Sequence, residues 1–560
     1  MSNEQSHENK SPQPEIATEE EENTEVNGAQ SLFKALIDAG FDTCFANPGT
    51  SEMQLVYEIG NTKGVRAVLC LQENTVTGAA DGYARMAGKP AFTLLHVGSG
   101  FANGVANIHN AGRANTPMVN VVGANATYHQ PNFAEHEFID GNIVDVARVV
   151  SHWAHQAKSA SDLGVLAALA ARYSRIGSGK ICTVVAPTNC HWDPAVAPPM
   201  PASPMETPKV SPETIQDMVG LLSNGKKTAI LLGSHTLYGE GLEIAGRISA
   251  KTGATLLGET FAPRIARGEG SIPVELVPYL PEQAIPYLQK FEQLILVGAL
   301  LPVTTFAYKG KPVIKVPATC QVTTLATVDH ALLPALEDLA KAVGASSKTI
   351  ARRVRSAVVQ PTGDLTADAI SKSICALLPE NAILLDEGGT NGIQICEETQ
   401  GARAHDLLKA VNGGAIGNGL PLALGAAVAC PDRKTVVLQG DGCGMYTEQA
   451  LWSMAREKVD VTVILLKNDA YGILEIELAR VREGDANSKM DALMHLDNPS
   501  LDWLKIAEGH GVSATRATTA EEFHQQLGAA MNSHGPHLIE AQIVQNLEPM
   551  IDAVHKSRVL

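Results

Sequence analysis

No Cys-x-x-Cys pair occurs in this chain, although nine cysteines are scattered through its 560 residues, from Cys44 to Cys443. That spread excludes a disulfide framework and predicts reduced, mostly buried thiols, as in a cytoplasmic protein. Basic residues are also in deficit: 43 Lys and Arg face 60 Asp and Glu, a net charge of −17. A nucleic-acid partner is therefore not expected, because phosphate backbones are bound by clustered Lys and Arg. A small anionic substrate remains compatible, since a few local donors outweigh the global charge. No stretch reaches the roughly 18 apolar residues of a membrane span, so no membrane partner is expected. Residues 1–27 lack the apolar core of a secretory signal and the Arg-rich, acid-poor character of a mitochondrial presequence. With the run Glu19-Glu20-Glu21-Glu22 they read as a disordered acidic tail. No strand–GxGxxG–helix with a later ribose-binding acid occurs, which disfavours a nicotinamide dehydrogenase.

What is present is the balance of a globular protein, 45% hydrophobic and 18% charged. The length predicts three or four domains. From residue 28 to 193, short apolar strands alternate with helical patterns: Thr43-Cys44-Phe45-Ala46, Arg66 to Leu71, Phe92 to Leu95, Val119 to Val122. Such alternation predicts a parallel α/β sheet. Residues 194–208 carry Pro194, Pro198, Pro199, Pro201, Pro204 and Pro208, with Pro187 just before, and read as a linker. A second α/β unit spans 209–345, with strands Thr228 to Leu232 and Leu294 to Val297. A third spans 364–550, with strands Ala382 to Leu385, Thr435 to Leu438 and Val461 to Leu466.

The third unit carries the chemistry. Gly440-Asp441-Gly442 follows one apolar strand, a helix runs from about Thr447 to Glu457, and the next strand ends at Lys467-Asn468-Asp469. This is a βαβ crossover, so both strands end on the same sheet edge and bring Asp441 beside Asn468. A carboxylate and an amide oxygen are hard donors that suit Mg²⁺, which takes further oxygens from a phosphate. The glycines flanking Asp441 let a phosphate approach the backbone. Taken alone, Gly-Asp-Gly is a common turn, and Asn468 an ordinary capping residue. Cys443 adjoins this turn, but no histidine lies near it in sequence, which argues against a catalytic thiol. In the first unit, Glu73 opens a helix containing Gly82-Tyr83-Ala84-Arg85. By itself it reads equally as a first-turn acid favoured by the helix dipole.

Together these segments resemble thiamine diphosphate-dependent enzymes of the acetolactate synthase and benzoylformate decarboxylase superfamily. The motifs occur in the expected order over nearly the whole chain after the tail. The resemblance implies a thiamine diphosphate-binding fold: α/β, with pyrimidine-binding, central and diphosphate-binding domains, each on a parallel sheet. It implies thiamine diphosphate and Mg²⁺ as cofactors, the metal held by Asp441, Asn468 and the Ala470 carbonyl within a motif that includes Gly440 and Gly442. Ile416, in Asn412-Gly413-Gly414-Ala415-Ile416-Gly417, takes the place of the residue that props the cofactor, with Gly414 beside it. Gly388, Gly389 and Thr390 match a second diphosphate loop. Glu73 takes the place of the acid that activates the aminopyrimidine ring, a general acid–base role relayed through the cofactor. Thr50, in Asn47-Pro48-Gly49-Thr50, falls where the benzoylformate decarboxylase branch contacts the substrate carboxylate, and His96 matches its first active-site histidine. A homodimer or homotetramer with active sites between subunits is implied.

The implied reaction is decarboxylation of a small 2-oxo acid, with carboligation as a second outcome. A simple benzoylformate decarboxylase-like enzyme and a flavin-containing pyruvate oxidase-type enzyme are the alternatives. The second histidine of the benzoylformate branch is replaced by Thr305, and its ring-facing aromatic by Glu477. Both departures weigh against an aryl substrate. The middle unit shows no obvious flavin segment, only scattered glycines such as Gly239 and Gly241, so FAD is not expected.

Overall fold

The computed structural model describes residues 26–132, 136, 138, 142–196, 205–307, 310, 312–346, 350–481 and 486–558. The expected tail, 1–27, lies outside them except for Val26 and Asn27. Those two residues pair antiparallel with Pro194 and Ala195, at the start of the expected linker.

Three parallel sheets form the frame. The first holds β1 (Thr43–Asn47), β2 (Arg66–Leu69), β3 (Ala91–Leu95), β4 (Met118–Ala124), β5 (Trp153–Gln156) and β6 (Ile181–Pro187), in the order β2-β1-β3-β4-β6-β5. The second holds β7 (Thr228–Leu232), β8 (Thr255–Gly258), β10 (Glu275–Leu276), β11 (Gln293–Val297) and β12 (Gln321–Ala326), in the order β10-β8-β7-β11-β12. A short strand, β9 (Ile265–Arg267), leaves that unit and joins the edge of the third sheet antiparallel. The third sheet continues with β13 (Ala382–Glu387), β14 (His405–Lys409), β15 (Thr435–Gly440), β16 (Val461–Lys467), β17 (Ser513–Ala517) and β18 (His537–Gln542), in the order β9-β14-β13-β15-β16-β18-β17. Its central strands are Val-, Ile- and Leu-rich and buried on both faces, as parallel strands covered by helices must be.

The first and third units are locked by one helix crossing. Helix α1 (Glu73–Ala87) packs on α4 (Gly419–Ala429), a run of small and apolar residues buried over nearly its whole length. Between them in sequence lie α2 (Val97–Arg113) and α3 (Gly389–Glu398). Small residues let the two backbones touch. A Cβ at Gly82 would stand 2.1 Å from the Leu422 carbonyl oxygen, and one at Gly425 would stand 1.8 Å from that of Ala79. At the far end of α1, the buried Arg85–Asp81 pair closes at 2.5 Å, and Arg85 also donates to the Lys409 carbonyl at 2.8 Å. The Gly-Tyr-Ala-Arg motif is thus a docking device as well as a signature. Gly425→Ala is expected to destabilise the protein by about 2 kcal/mol or more, the scale of overpacking against rigid backbone. Urea unfolding at wild-type stability would remove the crossing from this account.

Candidate active site

Strands β15 and β16 pair with Gly440 opposite Leu466, so the residues that follow them leave the sheet side by side. Asp441 is 2% exposed, and its carboxylate is gripped by backbone. One oxygen accepts from Gly442 at 2.8 Å; the other accepts from Asn468 at 3.1 Å and Asp469 at 2.8 Å. Burial pushes the Asp441 carboxyl up, and these three N–H groups pull the other way. The Asn468 amide nitrogen donates to Gln545 Oε1 at 2.7 Å, which turns its own oxygen away from Gln545. Ala470 bridges to His495 through bonds made by its neighbours, Tyr471 to Met494 and Leu496 to Asp469, so its own carbonyl takes no part. Gly442 has no room for a side chain, because a Cβ would stand 2.5 Å from the Tyr471 ring.

Around this pair the backbone offers an anion cradle. Gly388 caps α3, Gly389 has φ +59°, and Thr390 follows in the first turn. A helix amino end presents unpaired N–H groups and a favourable dipole to phosphate. Gln545 ties the two halves together, donating to Thr390 Oγ1 at 2.8 Å while accepting from Asn468.

Glu387 ends β13, directly before Gly388, Gly389 and Thr390. Its buried carboxylate accepts from the backbone of Gly417 at 2.7 Å, Asn418 at 3.1 Å and Gly419 at 2.7 Å, and from Gln439 Nε2 at 2.9 Å. It therefore pins the glycine-rich loop that carries Ile416. From the other side, Asn110 of α2 donates to the Ala415 carbonyl at 2.8 Å and accepts from Gly413 at 3.0 Å. Gly414 and Gly417, at φ +88° and +89°, adopt the left-handed backbone this loop requires. Ile416 is half-buried.

Glu73 and His96 belong to a second group, in the first unit. Glu73 opens α1 after the Gln72 cap and is 8% exposed; it accepts from Asn103 of α2 at 3.1 Å. His96 caps α2, and its Nδ1 lies 2.7 Å from Glu52 Oε2. Glu52 is fully buried and also accepts from the Gly49 N–H at 2.8 Å and the Ser51 hydroxyl at 2.9 Å. Glu73 and His96 meet across Gly100, where a Cβ would stand 2.7 Å from Glu73 Oε1 and 3.2 Å from His96 Cβ. Thr50 is exposed, at the start of a 3₁₀ turn, Thr50–Glu52. Its neighbour Ser51, not Thr50, comes within 3.4 Å of His96 Nδ1.

Among the described residues, no hydrogen bond or ion pair joins the Glu73–His96 group to the Asp441–Asn468 group. Nor does any cluster of three His, Cys, Asp or Glu side chains stand ready to hold a metal unaided. Asp441 and Asn468 fit a metal that draws its remaining oxygens from carbonyl, water and phosphate. The Cys443 thiol is pushed well above its ordinary value by burial and by Glu387 and Asp441, which favours the protonated form. Glu477 is not the uncompensated charge that would oppose an aryl ring, since Arg480 pairs with it at 3.1 Å and with Glu282 at 2.7 Å. Tyr279 lies beside this cluster, near the Thr305 side chain. A cavity of about 960 Å³ opens at the opposite, amino-terminal edge of the third sheet, lined by Arg433, Lys434 and Asp460 among others. Its charges neutralise one another, Lys434 with Asp460 at 2.6 Å and Arg433 with Asp406 at 2.7 Å, and it is remote from the strand ends that carry Asp441 and Asn468.

Two stretches of the chain match models of known families. Residues 26–147 match the thiamine pyrophosphate enzyme N-terminal TPP-binding domain, and residues 389–541 match the C-terminal TPP-binding domain. The chain is 44% identical to a Mycobacterium tuberculosis protein named as a candidate acetolactate synthase large subunit, over 92% of this chain and 99% of that one. It is 27% identical to the benzoylformate decarboxylase of Pseudomonas aeruginosa, over 91% and 97%. The thiamine diphosphate-dependent 4-hydroxybenzoylformate decarboxylase of Rhodococcus jostii superposes with a TM-score of 0.82 at 22% identity, covering 93% of this chain and all of that one.

Proposed function

This chain belongs to the thiamine pyrophosphate enzyme family, and we propose that it uses thiamine diphosphate and Mg²⁺ to decarboxylate a small 2-oxo acid, with carboligation as a second outcome. The observation that carries this is the Asp441 carboxylate, held by three backbone N–H groups beside the oriented Asn468 amide. A carboxylate so fixed is preorganised for a cation, and the glycine turns beside it leave space for a diphosphate. Asp441, Asn468 and the Ala470 carbonyl would hold the metal; Gly388, Gly389, Thr390, Gly440 and Gly442 would line the diphosphate; Gly414 and Ile416 would support the cofactor's waist. When bound, the cofactor supplies a carbanion-stabilising centre that can accept the acyl group of a 2-oxo acid.

The chain's own contribution is positioning and proton handling. Glu387 braces the loop that carries Ile416. Glu73 is the acid that would hydrogen-bond the aminopyrimidine ring, and Thr50 the group at the substrate carboxylate. Because Glu73 and Asp441 belong to separate groups within one chain, the complete site would combine Glu73 of one subunit with Asp441 of another. A homodimer or homotetramer follows from that reading. The His96–Glu52 pair favours a second outcome, simple release of aldehyde as in a benzoylformate decarboxylase, since an imidazole is a competent acid near neutrality.

The test is a panel of 2-oxo acids, incubated with protein, thiamine diphosphate and Mg²⁺ and assayed for CO₂, aldehyde and acyloin. Pyruvate is expected to turn over at least about tenfold faster than benzoylformate and to yield acyloin or acetohydroxy acid beside aldehyde. That ratio corresponds to about 1.4 kcal/mol of transition-state preference. Benzoylformate as the preferred substrate, with aldehyde as the sole product, would refute both parts of the substrate reading. Flavin absorbance in the purified protein would point to the pyruvate oxidase alternative.

A further inference from the structure

His96 has a second imidazole against it that the sequence motifs do not place. The His136 ring stands 5.3 Å from the His96 ring, centroid to centroid, at an interplanar angle of 71°. Phe138, two residues on, lies over the first turn of α2, where a Cβ at Gly98 would come within 2.8 Å of its ring. The His136 and Phe138 rings therefore both lie at the amino end of α2. Behind His96 the Glu52 carboxylate is fully buried, and glycines clear the space for the pair. A Cβ at Gly49 would stand 2.1 Å from His96 Nδ1, and one at Gly123 would stand 1.6 Å from Glu52 Oε1.

Resting on the reading in the preceding section, we propose that His96 and His136 form a two-imidazole proton-transfer unit, with Glu52 as its positioning residue. The overall balance is RCOCOO⁻ + H⁺ → RCHO + CO₂, so each aldehyde released gains one proton on carbon. The carboxylate of Glu52 accepts the Nδ1–H of His96 and fixes that tautomer, which leaves Nε2 to exchange the proton with substrate. His136 is exposed and restores the proton from solvent, directly or through one bridging water. This unit takes the place of the histidine that the motif comparison finds replaced by Thr305. Among the described residues, the charged or titratable groups facing His96 are Glu52 from the 3₁₀ turn, Glu73 across Gly100 and His136 itself.

The experiment has two arms. In the first, the full-length protein without added cofactor is labelled with diethyl pyrocarbonate across a pH series, and the His96 peptide is followed by mass spectrometry. The reagent reads the neutral imidazole. His136→Phe keeps a ring in contact while removing the second imidazole, so the pH profile of His96 labelling should shift from that of the wild type. Glu52→Gln replaces the carboxylate that accepts the Nδ1–H, so that profile should shift as well. In the second arm, the holoenzyme is given pyruvate. His136→Phe should cut the aldehyde-to-acyloin ratio at least about tenfold, with calorimetric cofactor affinity unchanged. An unchanged His96 labelling profile, or an unchanged product ratio, in His136→Phe overturns the proposal. A wild-type protein that releases no CO₂ from any 2-oxo acid would instead sink the reading beneath it, and the labelling arm would still decide whether the two imidazoles are coupled.

Discussion

Asp441→Ala is expected to be purified without thiamine diphosphate and to bind it at least about a hundredfold more weakly than the wild type in the presence of Mg²⁺. Two losses add up. The metal loses the one carboxylate in its proposed ligand set, and Mg²⁺ sheds water reluctantly for neutral donors alone. The backbone N–H groups of Gly442, Asn468 and Asp469 lose their shared acceptor. Buried donors left unpaired cost about 1–3 kcal/mol each, so the turn that presents Asn468 would relax as well. Two controls separate these losses. Asp441→Asn keeps an acceptor for the backbone while removing the charge, and should hold the fold by urea unfolding while still failing to load. Gln545→Ala leaves Asp441 intact but frees the Asn468 amide, and should weaken loading by roughly tenfold, the scale of a lost orienting partner. Calorimetric titration decides: undiminished cofactor affinity in Asp441→Ala would remove Asp441 from the metal site.

The sequence made this much visible because the Asp441 site is local. One βαβ crossover, read from apolar runs and glycines, is enough to put Asp441 beside Asn468, and strands such as Thr228–Leu232 fall where the apolar pattern ends. What was not legible depends on contacts between distant parts of the chain. Glu52 meets His96 across 44 residues, and Gln545 meets Asn468 across 77. Nothing in the periodicity of either segment announces such a pair. Glu387 directly precedes Gly388, yet its partners lie in the loop at Gly417 to Gly419, beyond the reach of a local motif. Pro194 shows the converse. It opened a proline-rich stretch read as a linker, but it pairs with Asn27 in a short antiparallel bridge, which proline tolerates at an edge. Glu477 pairs with Arg480 one helical turn away, and a comparison of single motif positions does not reveal such a partner.

Glu73→Gln is expected to lose activity by roughly 10²–10⁴-fold, the range for removing a general acid or base, while binding the cofactor within about threefold of wild type. The two side chains are nearly equal in size, and the bond from Asn103 Nδ2 has an acceptor in either. A Cβ at Gly100 would stand 2.7 Å from Glu73 Oε1, so the carboxyl occupies the space that this glycine leaves. The amide differs in one respect that matters: it cannot give up and regain a proton near neutral pH. Activity by itself would not distinguish lost proton transfer from a displaced cofactor. Hydrogen–deuterium exchange at the thiazolium C2 of the bound cofactor does, since it reads activation before any substrate arrives. It should slow by a comparable factor in Glu73→Gln and recover in part in Glu73→Asp, where the acid remains but its reach shortens. If exchange runs at the wild-type rate in the glutamine variant while turnover collapses, Glu73 is not the activating acid. The first-turn helix dipole would then be the sufficient reason for an acid at that position.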